Sequence, residues 1–136
     1  MKLINLPFFL PGFEVNRVRE NGDLLEIAAT SLHNTAKCPD CHISSRRVHS
    51  YYTRVPSDLP ISDYRVRLQL TVKRFRCQNE ACARSTFVEN HSNLVAKSAR
   101  RTKRLNTGLE AIAFALGGQA GSRLTHKLKM PVSRAG

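Results

Sequence analysis

The sequence predicts an α+β protein, a small antiparallel β domain followed by a short helical segment, and three observations predict it. Residues Arg65 to Phe75 alternate apolar and polar with period two. All four cysteines fall in two close pairs, and the two best strand candidates lie between them. Beyond Asn93 the apolar spacing changes to three and four, the period of a helix. The chain divides accordingly into a β-hairpin segment over 1–37, a four-cysteine β domain over 38–90 and a basic helical segment over 91–136.

Each element follows from local chemistry. Glu14 to Arg19 and Leu24 to Ala29 are short strand candidates joined through Asn21-Gly22, residues that tolerate the positive φ of a tight hairpin. Val15 and Val18 do not alternate, which leaves the register of this hairpin open. Cys38-Pro39-Asp40-Cys41 reads as a turn. Arg46 to Arg54 reads as a strand through Val48, Tyr51, Tyr52 and Thr53. Asp58 to Asp63 forms the connection to the clearest strand, in which Val66, Leu68, Leu70 and Val72 share one face. Arg65, Arg67, Gln69, Thr71 and Lys73 share the other. Thr86 to Glu89 closes the β region. Ala96 to Leu116 is expected to be one amphipathic helix that Gly117-Gly118 breaks. Ala120, Leu124 and Leu128 mark a second helix, ended by Pro131, and Ser133 caps a third.

The charge narrows the partner. The chain carries 22 Lys and Arg against 10 Asp and Glu, a formal charge of +12. Residues 1–37 balance at four against four, 38–90 carry nine against five, and 91–136 carry nine against Glu110 alone. Nucleic acid is the usual anionic partner of so one-sided a chain, and a merely solvated cationic surface is the bland alternative. The apolar start, Met1 to Phe13, is broken by Pro7 and Pro11 and has neither signal-peptide nor spanning character. A cytoplasmic protein without membrane association is expected, in which thiols stay reduced.

Cys38-x2-Cys41 and Cys77-x4-Cys82 are separated by 35 residues. Two short loops, each presenting two thiolates, satisfy the tetrahedral demand of Zn2+ at little backbone cost. One structural zinc held by Cys38, Cys41, Cys77 and Cys82 would staple a β domain too small to rely on its core. Two disulfides require export. A redox dithiol should open a helix after a buried strand. A haem-attachment string at Cys38 to His42 leaves the second pair unexplained. His42 lies too close to Cys41 to share its metal readily, and His33 and His49 read as surface or packing residues. Four thiolates leave zinc no open position for water, so the site is structural and no catalytic residue is expected. Asp58 and Asp63 read as turn or capping residues.

Arg100, Arg101, Lys103 and Arg104, with Lys97 just before, form a collar at the expected helix start. Cations there oppose the helix macrodipole, so phosphate contact explains them better than helix stability does. From Thr102 onward the layout has helix-turn-helix proportions, although the last helix is essentially absent and a plain αα-hairpin is the bland alternative.

With these motifs assembled, the chain resembles the N-terminal part of bacterial insertion-sequence transposases of the ISL-three family. The resemblance rests on Cys38-Pro39-Asp40-Cys41, the run Arg47 to Arg54, Asp58-Leu59-Pro60 and the run Val66 to Cys77. It continues through Cys82, Arg84, Phe87, Glu89, Arg101 to Leu105 and Ala115 to Leu124. Asp63 and Lys129 stand where relatives tend to have Gly. The resemblance implies a zinc finger, then a helix-turn-helix, then a DDE nuclease domain, none of whose carboxylates can be placed on this sequence. The expectation is therefore a transposase truncated before its catalytic domain. It would bind DNA mainly through phosphate, using Arg65, Arg67, Lys73, Arg74, Arg76, Lys97, Arg100, Arg101, Lys103, Arg104 and Arg123. The alternative is a zinc-stabilised interaction module that pairs with an intact transposase or with itself.

Overall fold

A computed structural model describes residues 10–130. It is a mixed α+β structure with eight strands and two helices. The strands are β1 (Phe13–Asn21), β2 (Leu24–Ser31), β3 (Ala36–Lys37), β4 (Ser44–Ser45), β5 (Val48–Arg54), β6 (Ser57–Ile61), β7 (Tyr64–Arg76) and β8 (Thr86–Val88). The helices are α1 (Lys103–Leu116) and α2 (Gly118–Lys127).

The β7 strand organises the sheet because it is long enough to take four partners. On one edge it pairs with β2 and, further along, with β8; on the other it pairs with β6 and then β5. The β1–β2 hairpin turns at Gly22, whose φ of 62° only glycine adopts freely. The hairpin is hydrogen-bonded directly to β7, so residues on both sides of position 37 share one sheet.

Two expectations are corrected, at β6 and at the start of α1. The strands of residues 38–90 pair antiparallel as expected, and β2, from the N-terminal hairpin, joins them parallel to β7. The chain between β2 and β7 passes through β3 to β6, and so long a connection permits the parallel crossover. The supposed connection at Asp58 to Asp63 contains β6, and only Ser62 and Asp63 make the turn, with Ser62 at φ 52°. The helix expected from Ala96 begins at Lys103. Residues before it are held in turns, where Arg54 Nη2 donates to the carbonyls of Ala96 (3.1 Å) and Ala99 (2.6 Å).

The Val15 and Val18 irregularity has a structural explanation. A bulge between Val15 and Arg17 inserts Asn16, so that Val15 faces Ala29 and Val18 faces Ile27, both on the core side. The extra residue restores the phase. On β7, Val66, Leu68, Leu70 and Val72 are 0–2% exposed and pack with Leu25, Ile27 and Ala29 of β2. Leu94 and Val95, in the segment before α1, cover this face. Burying each such side chain contributes about 1.5–3 kcal/mol.

Thr102 caps α1, its side chain accepting from Leu105 N. Gly117, at φ 72°, separates the two helices, and Lys129 takes a left-handed φ of 61° where α2 has ended. Lys129 thus occupies the helix-ending conformation that glycine would adopt more easily. The third helix expected from Ser133, and most of the apolar start, Met1 to Phe9, lie outside the described residues.

Candidate metal centre

Each cysteine pair is built on a strand end. Cys38 directly follows β3 and Cys77 directly follows β7, so hydrogen-bonded backbone fixes one thiol of each pair. The β3–β4 ladder closes the first loop, where Cys38 N donates to Ile43 O (3.1 Å) and His42 N to Cys38 O (2.9 Å). His42 turns the chain at φ 61° and its side chain is exposed. In the second loop Cys77 N donates to Ser85 O (2.9 Å), Cys82 N to Asn79 O (3.0 Å) and Ala81 N to the Asn79 side chain (3.0 Å).

The loops are also tied to each other. Arg76 N donates to Arg47 O (2.8 Å), the Ser45 hydroxyl donates to Arg76 O, and Arg46 N donates to Gln78 Oε1 (3.0 Å). Outside, the Arg84 guanidinium from the second loop meets Asp40 from the first at 2.8 Å. Beneath, Cys38 is fully buried against Phe75 and Phe87, whose rings stack 6.0 Å apart. Phase on β7 puts Phe75 on the side away from Val66 to Val72, so this small core is separate from the main one.

The four sulfurs lie within 4.8 Å of one another, with Cys38–Cys82 at 3.9 Å and Cys41–Cys77 at 3.7 Å. A tetrahedron with Zn–S bonds of about 2.3 Å has sulfur–sulfur edges of about 3.8 Å. A disulfide needs about 2.05 Å, and all four thiols are free. The donor set therefore fits one zinc ion. Among the described residues, no other grouping of three or more His, Cys, Asp or Glu lies close enough to hold an ion.

Electrostatics give the cluster its need for a cation. A backbone N–H from Ile43 leads in lowering the Cys41 thiol to about 7. Cys77 also receives a lowering N–H, from Asn79, but burial and the neighbouring thiols push it up to about 12. One thiolate forms easily and then opposes the next. A divalent ion at the centre reverses that opposition and lets all four ionise.

Sequence comparison agrees with this geometry. Site and fold define a zinc ribbon, two cysteine loops on strand ends closed over a single metal. Residues 34–82 match the family model described as the zinc-finger of transposase IS204/IS1001/IS1096/IS1165, so this region is similar to a transposase-type zinc ribbon. The matched region is not a catalytic domain. No curated protein and no solved structure gives a significant match to the chain. Among the described residues no helix is long and apolar enough to cross a membrane.

The cations singled out from sequence have divergent surroundings. Arg67, Arg76, Lys97, Arg100, Lys103 and Arg123 are exposed. Arg65 is paired with Asp23 at 3.0 Å, which together with Lys129 holds that carboxyl at about 2. Lys73 donates to His33 O (2.6 Å), and Arg74 lies 5.8 Å from the Tyr52 ring centre. Arg101 is half-buried and 3.5 Å from Asn106 Oδ1. The collar is not continuous, because only Lys103 and Arg104 belong to α1 and Arg104 turns inward to Asp58.

Asp58 and Glu89 are the residues that sequence reasoning misread or passed over. Asp58 is fully buried in β6 and accepts from Thr102 Oγ1 (2.7 Å), Arg104 Nε (2.8 Å) and Leu59 N (2.8 Å). It is an anchor for the helix, not a turn residue. Glu89 is buried and accepts from the Ser31 hydroxyl, His33 Nδ1 (2.8 Å) and Lys73 N (2.7 Å). His33 is thereby a partner of a buried carboxylate. No short-range pattern marks either residue, because the side chains that meet them lie 44 to 58 positions away.

Proposed function

We propose that this chain is the DNA-binding part of an insertion-sequence transposase, in which zinc stiffens the ribbon and phosphate contacts come from the cationic surface around it. One observation carries the reading. A zinc ribbon of transposase type is followed at once by a segment whose exposed Lys97, Arg100 and Lys103 face no acidic partner among the described residues. Cations ahead of and within the first turn of α1 oppose its dipole, so an external anion explains them best.

The metal, when bound, supplies folding energy and charge neutralisation at the four thiolates. The protein does the rest. Asp58 holds the start of α1 to β6 through Thr102 and Arg104, and Ser57 exchanges backbone hydrogen bonds with Arg100 and Thr102 (2.9 Å each). The cationic segment is thereby fixed to the sheet that carries the ribbon. Contacts of this kind position a duplex without reading its bases.

Anisotropy of a labelled duplex over increasing salt tests the proposal. With about six phosphates engaged, the log–log slope is expected to be roughly −5. A slope near zero contradicts it.

A second reading has its own observation. Phe114 is 94% exposed on α1, and Leu116 and Leu128 are also partly exposed. Such a surface supports pairing of the helical segment with another transposase chain or with itself. Sedimentation with and without duplex separates the two readings.

A further inference from the structure

The outward face of the sheet holds a group of cations that the helix entry does not include. Register fixes its rows. Arg19, Glu26 and Arg67 stand side by side across β1, β2 and β7, and Arg17, Ala28 and Gln69 form the next row. Cross-strand neighbours share a face, and this face is opposite the one bearing Ile27 and Leu68. Arg17, Arg19, Glu26, Ala28 and Gln69 line a shallow depression, floored by the small Ala28 side chain.

We propose that this outer face is a second surface for duplex DNA, with Arg17, Arg19 and Arg67 each meeting a phosphate. The inference rests on the DNA-binding reading above and adds a location to it. Several arginines elsewhere are engaged, Arg65 with Asp23, Arg84 with Asp40, Arg104 with Asp58 and Arg54 with backbone carbonyls, while others, Arg76, Arg100 and Arg123 among them, are exposed. Arg17, Arg19 and Arg67 are exposed, and none makes a side-chain hydrogen bond or ion pair among the described residues. Glu26 lies between Arg19 and Arg67 in register yet pairs with neither, and Glu14 stands opposite Thr30 one row beyond Ala28. Three guanidinium groups thus outweigh two carboxylates and stay available. Residues two apart on a strand are separated by about 6.7 Å, so Arg17 and Arg19 can each contact a different backbone phosphate.

The occupant follows from what the face lacks. Single-stranded nucleic acid is held by aromatic platforms on which bases stack. The centre of this face offers Arg, Glu, Gln, Thr and Ala, with Tyr51 beside Lys73 toward one end. Charge without stacking suits the outside of a duplex.

The test compares full-length variants for duplex binding across salt, with zinc content and circular dichroism as fold controls. Replacing both arginines, Arg17→Gln with Arg19→Gln, is expected to weaken binding about tenfold or more and make the slope shallower by about 1.8. The conservative pair, Arg17→Lys with Arg19→Lys, is expected to keep the slope. An unchanged slope in the glutamine pair, while the natural protein binds, overturns this surface and leaves the DNA reading standing. Loss of slope in the lysine pair overturns it too, since charge would not then be what matters. If the natural protein binds no duplex, both readings fall. If it prefers a single strand of deoxythymidine, the duplex assignment fails.

Discussion

A carboxylate cut off from water has to find partners, and Asp58 has three: the Thr102 hydroxyl, the Arg104 guanidinium and the Leu59 amide. Removing one member of a buried ion pair costs about 3–5 kcal/mol, and the partial exposure of Arg104 puts this pair near the lower figure. Asp58→Ala is expected to lose about 3 kcal/mol in denaturant unfolding, with α1 freed first in hydrogen exchange. A loss below about 0.5 kcal/mol would contradict the anchor. His91 offers a second check at this scale. Burial leads in holding its imidazole below the ordinary value, with Nε2 facing Arg54 at 2.9 Å and Nδ1 facing Glu89 O at 3.1 Å. The unfolded chain takes up this proton near pH 6.5 and the folded chain only at lower pH. Between those values the unfolded state binds more protons, so this contribution to stability falls as pH drops below about 6.5. An NMR titration should place the His91 midpoint below 6.5; a midpoint above it would contradict the geometry.

The elements differ in how openly the sequence displays them. The cysteine loops and β7 were legible because each rests on a short-range pattern, two-residue and four-residue spacers in one case and strict alternation in the other. Val15 and Val18 looked out of phase because Asn16 is a bulge, which alternation rules cannot express. Pro60 and two acids disguised β6 as a turn, although Pro is tolerated in a short strand where pairing shifts. The start of α1 was misplaced because helical spacing continues back to Ala96, while a cap at Thr102 and the Arg54 contacts end the helix there. Those contacts join residues more than 40 apart, as does Asp58 to Arg104, and periodicity carries no information at that distance. Two outcomes test these local assignments. Deleting Asn16 should shift one valine out of the core and cost about 1 kcal/mol or more, read by thermal unfolding. Thr102→Ala should cost about 1 kcal/mol for the cap and more because Asp58 loses a donor. No change in either would contradict the pairing and the cap.

At the scale of the molecule, two small cores sit on the two sides of β7, and the metal belongs to the lesser one. Phe75, Phe87 and Cys38 bury too little apolar surface to order two loops by themselves. The four sulfurs complete what that core lacks, and the cationic surfaces depend on the sheet so ordered. The most direct measurement is zinc per chain, by elemental analysis of purified protein before and after a strong chelator, with amide exchange recorded on each sample. One zinc per chain is expected, and its removal should release protection at Cys38 to Ser45 and Cys77 to Phe87. Metal-free protein with that protection intact would contradict the account.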